Sequence, residues 1–209
     1  MSSKSFFVNA LTFSRVPLIV AWLVLAIAQE LNGGIWLGIV ATVMMFFSGI
    51  TDLFDGMLAR KWSVVSKLGK MADPLMDKIF YVIAFPALMW ILGHQHDNHF
   101  HSAVMLTFTI LYILRDLWVT FMRSIASSYG ADVSAMWLGK IRTALSFPTA
   151  GWIYVYLAYH SFDALSVLEP YWLWSCYLIE GVMIILNTFS FVSYTISYWP
   201  YLKKSMTHV

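Results

Sequence analysis

Residues 51–78 read TDLFDGMLARKWSVVSKLGKMADPLMDK, and they place Asp52, Asp55, Asp73 and Asp77 between two long apolar runs. On a helix turning about 100° per residue, Asp52 and Asp55 project about 60° apart and Asp73 and Asp77 about 40° apart, so each pair shares a face. An ionised side chain at mid-bilayer costs about 2.5 to 3.5 kcal/mol on insertion scales, so four of them together call for metal ions, a cavity or both. The run before the motif descends to one side of the membrane and the run after it climbs back. Both pairs therefore sit at similar depth and can converge on one site.

Working outward, the 209 residues are 60% hydrophobic and 11% charged. A water-soluble globule carries roughly 25% charged residues, so this composition reads as an integral membrane protein. A span needs about 20 mostly apolar residues, and six segments qualify, near 12–29, 34–59, 72–93, 102–126, 136–160 and 172–198. They fill residues 1–209 as a single all-α membrane domain. With the N-terminus inside, all thirteen basic residues, from Lys4 and Arg15 to Lys203 and Lys204, fall at inner ends, and the outer loops carry Glu30, Asp97, Asp163 and Glu169. Retention of Lys and Arg on the cytoplasmic side then predicts six transmembrane helices with both termini cytoplasmic. Lys4, Arg15 and Ala26-Ile27-Ala28 also fit a cleavable signal peptide. Ser2 to Ala10, with Phe6, Phe7 and Val8, reads either as a short amphipathic surface helix or as a frayed tail.

Oxygen ligands without nearby His or Cys suit a hard ion, Mg²⁺ or Mn²⁺. Two such ions would clamp a diphosphate for in-line displacement. Arg60 could meet further phosphate oxygens, while Gly56 and Gly69 would let a nucleotide approach the backbone; the bland alternatives are an ordinary positive-inside arginine and packing glycines.

Asp52, Asp55, Gly56, Ala59, Arg60, Gly69, Asp73 and Asp77 match the signature DxxDGxxAR, eight residues, GxxxDxxxD, and the chain so resembles the CDP-alcohol phosphotransferase family. Eight chance identities have odds below about one in a hundred million. The resemblance implies a six-helix homodimeric enzyme of the bacterial inner membrane with its site facing the cytoplasm. It implies that Asp52, Asp55, Asp73 and Asp77 hold two divalent cations, Mg²⁺ or Mn²⁺, and that Asp77 is the general base beside Asp73. Asp52, Gly56, Ala59, Arg60 and Gly69 would take the CDP moiety.

The opening NALTFSRVPL, with Asn9, Leu11, Thr12 and Arg15, is similar to the PNxLTxxR of phosphatidylglycerophosphate synthases and related cardiolipin synthases, with Val8 in place of proline. Arg115-Asp116 with Arg123, and Gly139, Lys140, Arg142 and Thr143, resemble further patterns of the former enzymes, with Ser146 where glutamine is expected. Arg115 and Arg123 lie about 80° apart on one helix, and with Lys140 and Arg142 they suit a phosphate on the acceptor alcohol. Snorkelling anchors are the alternative. The implied partners are CDP-diacylglycerol, glycerol 3-phosphate, membrane lipid and a second copy of the chain, with no nucleic acid. Inositol phosphate, phosphatidylglycerol, serine and choline are alternative acceptors, and a cation transporter is a remote alternative whose ligands should sit nearer the midplane.

Outside the motif, the histidines from His94 to His101 read as a solvated outer turn, Cys176 as a packing residue, and the tryptophans as an interfacial belt. Glu180, inside the last span, requires a partner that sequence does not name.

Overall fold

In the computed structural model, residues 3–64, 66–95, 99–134, 136–159 and 169–207 are described, with the backbone alone for Lys67 and Lys70. The expectations for His96, Asp97 and Asp163, and for the Lys67 and Lys70 side chains, fall outside the described residues. Six helices follow one another: α1 Ser3–Asn32, α2 Ile35–Lys61, α3 Lys67–His94, α4 His99–Ser128, α5 Trp137–Tyr159 and α6 Glu169–Thr207. Five of them, all but α5, are long and apolar enough to cross a membrane, which makes this an integral membrane protein. The segment Ser3 to Ala10 is helical but continuous with α1, so the separate surface helix is replaced by an extension of the first long helix.

Helix ends are set by local chemistry. Gly33 and Gly34, with φ of 71° and 105°, supply a backbone that side chains rarely tolerate and join α1 to α2 through a two-residue turn. The α2 and α4 C-termini share one closing bond, from Val64 N to Ala59 O and from Ala131 N to Ala126 O, both 3.1 Å. That six-to-one bond is the mark of a Schellman motif, with Ser63 and Gly130 at the left-handed positions. Ser66 caps α3 by accepting from Gly69 N at 2.9 Å, and its hydroxyl donates to Asn9 Oδ1 at 3.0 Å. The start of α1 is thereby tied to the start of α3.

Burial follows the helical seam. In α1 the buried positions Val8, Thr12, Arg15, Ile19, Trp22 and Ala26 alternate in steps of four and three. The same alternation runs along α4 through His101, Met105, Phe108, Tyr112, Arg115, Val119, Met122 and Ala126. A stripe of this spacing lets long helices stay in contact over their length. The midsection closes on aromatic packing of Tyr81, Phe85, Phe108 and Tyr112, and of Trp22 against Tyr154 at 5.2 Å. Gly49 makes room for the Phe147 ring, which a Cβ would overlap. Trp22 thus leaves the expected interfacial belt for the core, whereas Trp36, Trp137 and Trp174 are exposed near helix starts.

The exception, α5, buries Ser146, Thr149, Ala150, Gly151, Ile153, Tyr154 and Tyr156 against other helices.

At the end opposite Ser66, Gln29 Nε2 donates to Ala158 O at 3.0 Å and Gln95 Nε2 to Glu30 Oε2 at 2.6 Å. Cys176 is buried there, as expected. His101 departs from the expected solvated turn: it lies in the first turn of α4, fully buried, with its Nε2 3.0 Å from Glu180 Oε1. An ionisable residue inside a span must find a partner, and the histidine is there to provide it. Removing one member of a buried pair strands the other at a cost of about 3 to 5 kcal/mol. Glu180→Ala should lower the thermal unfolding midpoint of the detergent-solubilised protein by several degrees. The double variant His101→Leu with Glu180→Met should recover most of that loss, and a double variant no more stable than Glu180→Ala would contradict the pairing.

Candidate active site

The four motif aspartates converge, but they converge on an arginine. Arg15, one turn of α1 past Thr12, is buried and reaches across to α2 and α3. Its Nη1 contacts Asp52 Oδ1 and lies 3.3 Å from Asp77 Oδ1. Its Nη2 lies 3.1 Å from Asp55 Oδ2 and 3.7 Å from Asp73 Oδ1. Thr12 Oγ1 adds a 2.7 Å hydrogen bond to Asp55 Oδ2. Asp55 is buried, while the side chains of Asp52 and Asp73 are about half exposed, at 47% and 51%. Helical spacing brings each aspartate pair to one face as expected; the tertiary packing of α1 brings the two faces together.

Hard oxygen donors of this kind are the type that takes Mg²⁺ or Mn²⁺, although in the arrangement around Arg15 the described residues form no group of three or more that could hold an ion as they stand. Arg15 takes one oxygen of each carboxylate, and Asp52 Oδ2, Asp55 Oδ1, Asp73 Oδ2 and Asp77 Oδ2 accept no hydrogen bond from the described residues. Around the centre, Gly56 leaves open space, since a Cβ there would meet nothing nearer than Arg60 Nη2 at 3.9 Å. Arg60 itself is exposed and donates from Nε to its own helix at Gly56 O, 3.1 Å away. Gly69 has a packing role besides any in binding, because a Cβ there would stand 3.1 Å from the capping Ser66 Oγ.

A cavity of about 900 Å³ opens beside this centre. Arg15, Asp52 and Asp77 line it, and so do Lys78, Arg115, Asp116, Arg123, Lys140 and Arg142. All four cations read from the sequence as acceptor residues therefore face the same space as Asp52 and Asp77. They are not equivalent. Arg142 is buried with Nη2 3.0 Å from Asp116 Oδ1, Nη1 3.1 Å from Asn187 Oδ1 and its guanidinium 3.8 Å from the Tyr112 ring centre. Arg115 is buried too, bonded to Ser190 Oγ and stacked over Tyr194 at 4.9 Å. Arg123 and Lys140 form no ion pair among the described residues.

Two participants were not assigned to this site from sequence. Arg15 carries a signal in hindsight: Asn9, Thr12 and Arg15 fall on one side of an apolar helix, where a charge must have a partner. Asp116 is a hub whose Oδ2 lies 3.1 Å from Lys78 Nζ while Oδ1 serves Arg142. Its neighbour in sequence, Arg115, drew the attention instead. Gly139 belongs to the same construction, since a Cβ there would stand 2.9 Å from Tyr194 Oη and 3.3 Å from Arg115 Nη2.

Curated relatives include a CDP-diacylglycerol–glycerol-3-phosphate 3-phosphatidyltransferase of Blochmanniella floridana, 30% identical over 110 residues, covering 52% of this chain and 54% of the relative. Proteins of the same name from Salmonella typhimurium and Escherichia coli K12 are 27% and 26% identical over 120 residues, covering 56% of this chain and 62% of each relative. The chain thus spans little more than half the length of the curated relatives it matches. The family model described as CDP-alcohol phosphatidyltransferase matches residues 6–192, from the first turns of α1 through most of α6, and the chain belongs to that family.

Proposed function

We propose that this protein transfers the phosphatidyl group of CDP-diacylglycerol to a hydroxyl of glycerol 3-phosphate, giving phosphatidylglycerol phosphate and CMP. The observation that carries the reading is the shared cavity, lined both by Asp52 and Asp77 and by Arg123 and Lys140, two cations with no ion pair among the described residues. A phosphate held by Arg123 and Lys140 would leave the far end of a short alcohol directed toward the aspartates. Lys140 lies in the first turn of α5, where the free backbone N–H groups and the helix dipole also favour an anion. The names of the curated relatives point the same way.

In this reading Asp52, Asp55, Asp73 and Asp77 hold two divalent cations, Mg²⁺ or Mn²⁺, which when bound neutralise the diphosphate and stabilise the entering and leaving oxygens. Asp77 accepts the proton of the acceptor hydroxyl as general base. The hydroxyl oxygen forms a bond to the phosphorus that bears diacylglycerol, the bond from that phosphorus to the CMP oxygen breaks, and CMP leaves with the electron pair. Asp52, Gly56, Ala59, Arg60 and Gly69 receive the CDP moiety, Gly56 by its open backbone face and Arg60 by swinging off Gly56 O. Arg115 and Arg142, held by Asp116, Ser190 and Asn187, shape the acceptor pocket more than they grip its ligand. The setting is a six-span, single-domain homodimer in a bacterial inner membrane, with both termini and the site on the cytoplasmic side and α5 as the sheltered sixth span.

Purified protein incubated with CDP-diacylglycerol and a panel of alcohols should release CMP with glycerol 3-phosphate and far less with glycerol. Chelator should abolish the reaction, and Asp52→Ala, Asp55→Ala, Asp73→Ala or Asp77→Asn should each lower turnover by about a hundredfold or more. Arg123→Gln or Lys140→Gln should raise KM for glycerol 3-phosphate roughly tenfold, the loss of one charge-assisted bond of about 1.5 to 3 kcal/mol. KM for CDP-diacylglycerol should change little. CMP release with serine or phosphatidylglycerol but none with glycerol 3-phosphate would refute the acceptor.

Orientation has its own test. In a Cys176→Ser background, Asn32→Cys in the α1–α2 turn should react with an impermeant thiol reagent applied from outside, while Ser63→Cys and Ser128→Cys should react only after the membrane is opened. Labelling of Ser63→Cys from outside would invert the topology.

A further inference from the structure

We infer that Arg15 sets the charge of the four-aspartate centre so that full loading with divalent ions requires the diphosphate of the nucleotide substrate. The inference rests on the metal-binding reading of Asp52, Asp55, Asp73 and Asp77 given above.

One guanidinium touches one oxygen of each of the four carboxylates. It cannot drift away from them, since the Arg15 side chain is 7% exposed and packed within the bundle. Its Nε is buried without an acceptor among the described residues, so the guanidinium's hydrogen bonds and ion pairs are all with the aspartates. Four carboxylates facing one guanidinium carry a net charge of three negatives. Two divalent ions alone would overshoot to a net positive centre, and the second would bind against the repulsion of Arg15 and the first. The diphosphate contributes two negative charges and brings the assembly back to a single negative one. Charges a few ångströms apart in a site sheltered from water interact strongly, so this difference decides occupancy. With Arg15 the first ion binds alone and the second arrives with the nucleotide. Without Arg15 the four carboxylates balance two divalent ions by themselves. A centre built this way does not commit its second ion before the leaving group is in place. The four oxygens that Arg15 does not use remain for the ions, so its contacts need not all break when they bind.

Calorimetric titration of the detergent-solubilised protein with Mn²⁺, with and without saturating CDP as the diphosphate probe, tests this without reference to turnover. Wild type should take up one Mn²⁺ without CDP and two with it. Arg15→Gln should bind two without CDP, with an affinity for the second ion at least about tenfold above wild type and little further gain on adding CDP. Arg15→Lys, which keeps the charge, should retain the dependence on CDP. Two ions on CDP-free wild type, or an Arg15→Gln protein that needs CDP as much as wild type does, would overturn the inference, and the wild-type and Arg15→Lys stoichiometries decide it even where Arg15→Gln does not fold. No Mn²⁺ uptake by wild type with CDP, or uptake unchanged in Asp55→Asn, would instead remove the metal-binding reading and this inference with it.

Discussion

Everything at the aspartate end of this bundle depends on one guanidinium meeting four carboxylates. Asp52, Asp55, Asp73 and Asp77 belong to two helices that would repel each other at this point if no cation stood between them. Arg15 supplies that cation from a third helix, so α1, α2 and α3 are joined by electrostatics where the apolar contacts thin out. The buried stripe of α1 shows the division of labour. Its outer half, Ile19, Trp22 and Ala26, packs against the core, and its inner half, Asn9, Thr12 and Arg15, serves the aspartates and the cap of α3. One spacing thus produces both the bundle and the site, and shifting α1 by a turn would spoil both.

The second charged layer follows the same rule with the signs reversed. On α4, α5 and the α3 Lys78 the cations outnumber the anions, and Asp116 is the carboxylate that holds them. It neutralises Arg142 most directly, which leaves Arg123 and Lys140 facing the cavity. The cavity lining therefore combines Asp52 and Asp77 with a larger set of cations. Such a lining suits the diphosphate and the anionic acceptor of the proposed reaction.

Much of the fold was legible because the chain must satisfy a membrane. Six apolar runs gave six helices, and the spacing of the aspartates placed each pair on one face. What was not legible is tertiary. Nothing local in Thr12 or Arg15 says that they meet Asp55, because the contact joins residues 43 and 40 positions apart. His101 sat in a run that resembles a polar turn, and only the packing of α4 on α6 makes it the partner of Glu180. The segment 136–160, read as a span from sequence, is helical as α5 but is not among the five helices long and apolar enough to cross a membrane. Among the four acceptor cations, sequence could not separate Arg115 and Arg142, already bonded, from Arg123 and Lys140.

The placement of Lys140 and Arg142 carries the last step. Both lie in the first two turns of α5, at the positive end of its dipole, where a cation is disfavoured by about 0.3 to 1 kcal/mol. Bonds to Asp116 and Asn187 compensate Arg142. Nothing in the described residues compensates Lys140, and Arg123 adds a further positive charge to the same cavity. A lysine at a helix start and an arginine on α4, neither in an ion pair among the described residues, share this cavity, an unfavourable arrangement for the protein alone. It becomes favourable once an anion sits against α5, and the phosphate of the proposed acceptor is an anion of suitable size to bridge Arg123, Lys140 and the N–H groups of the first turn.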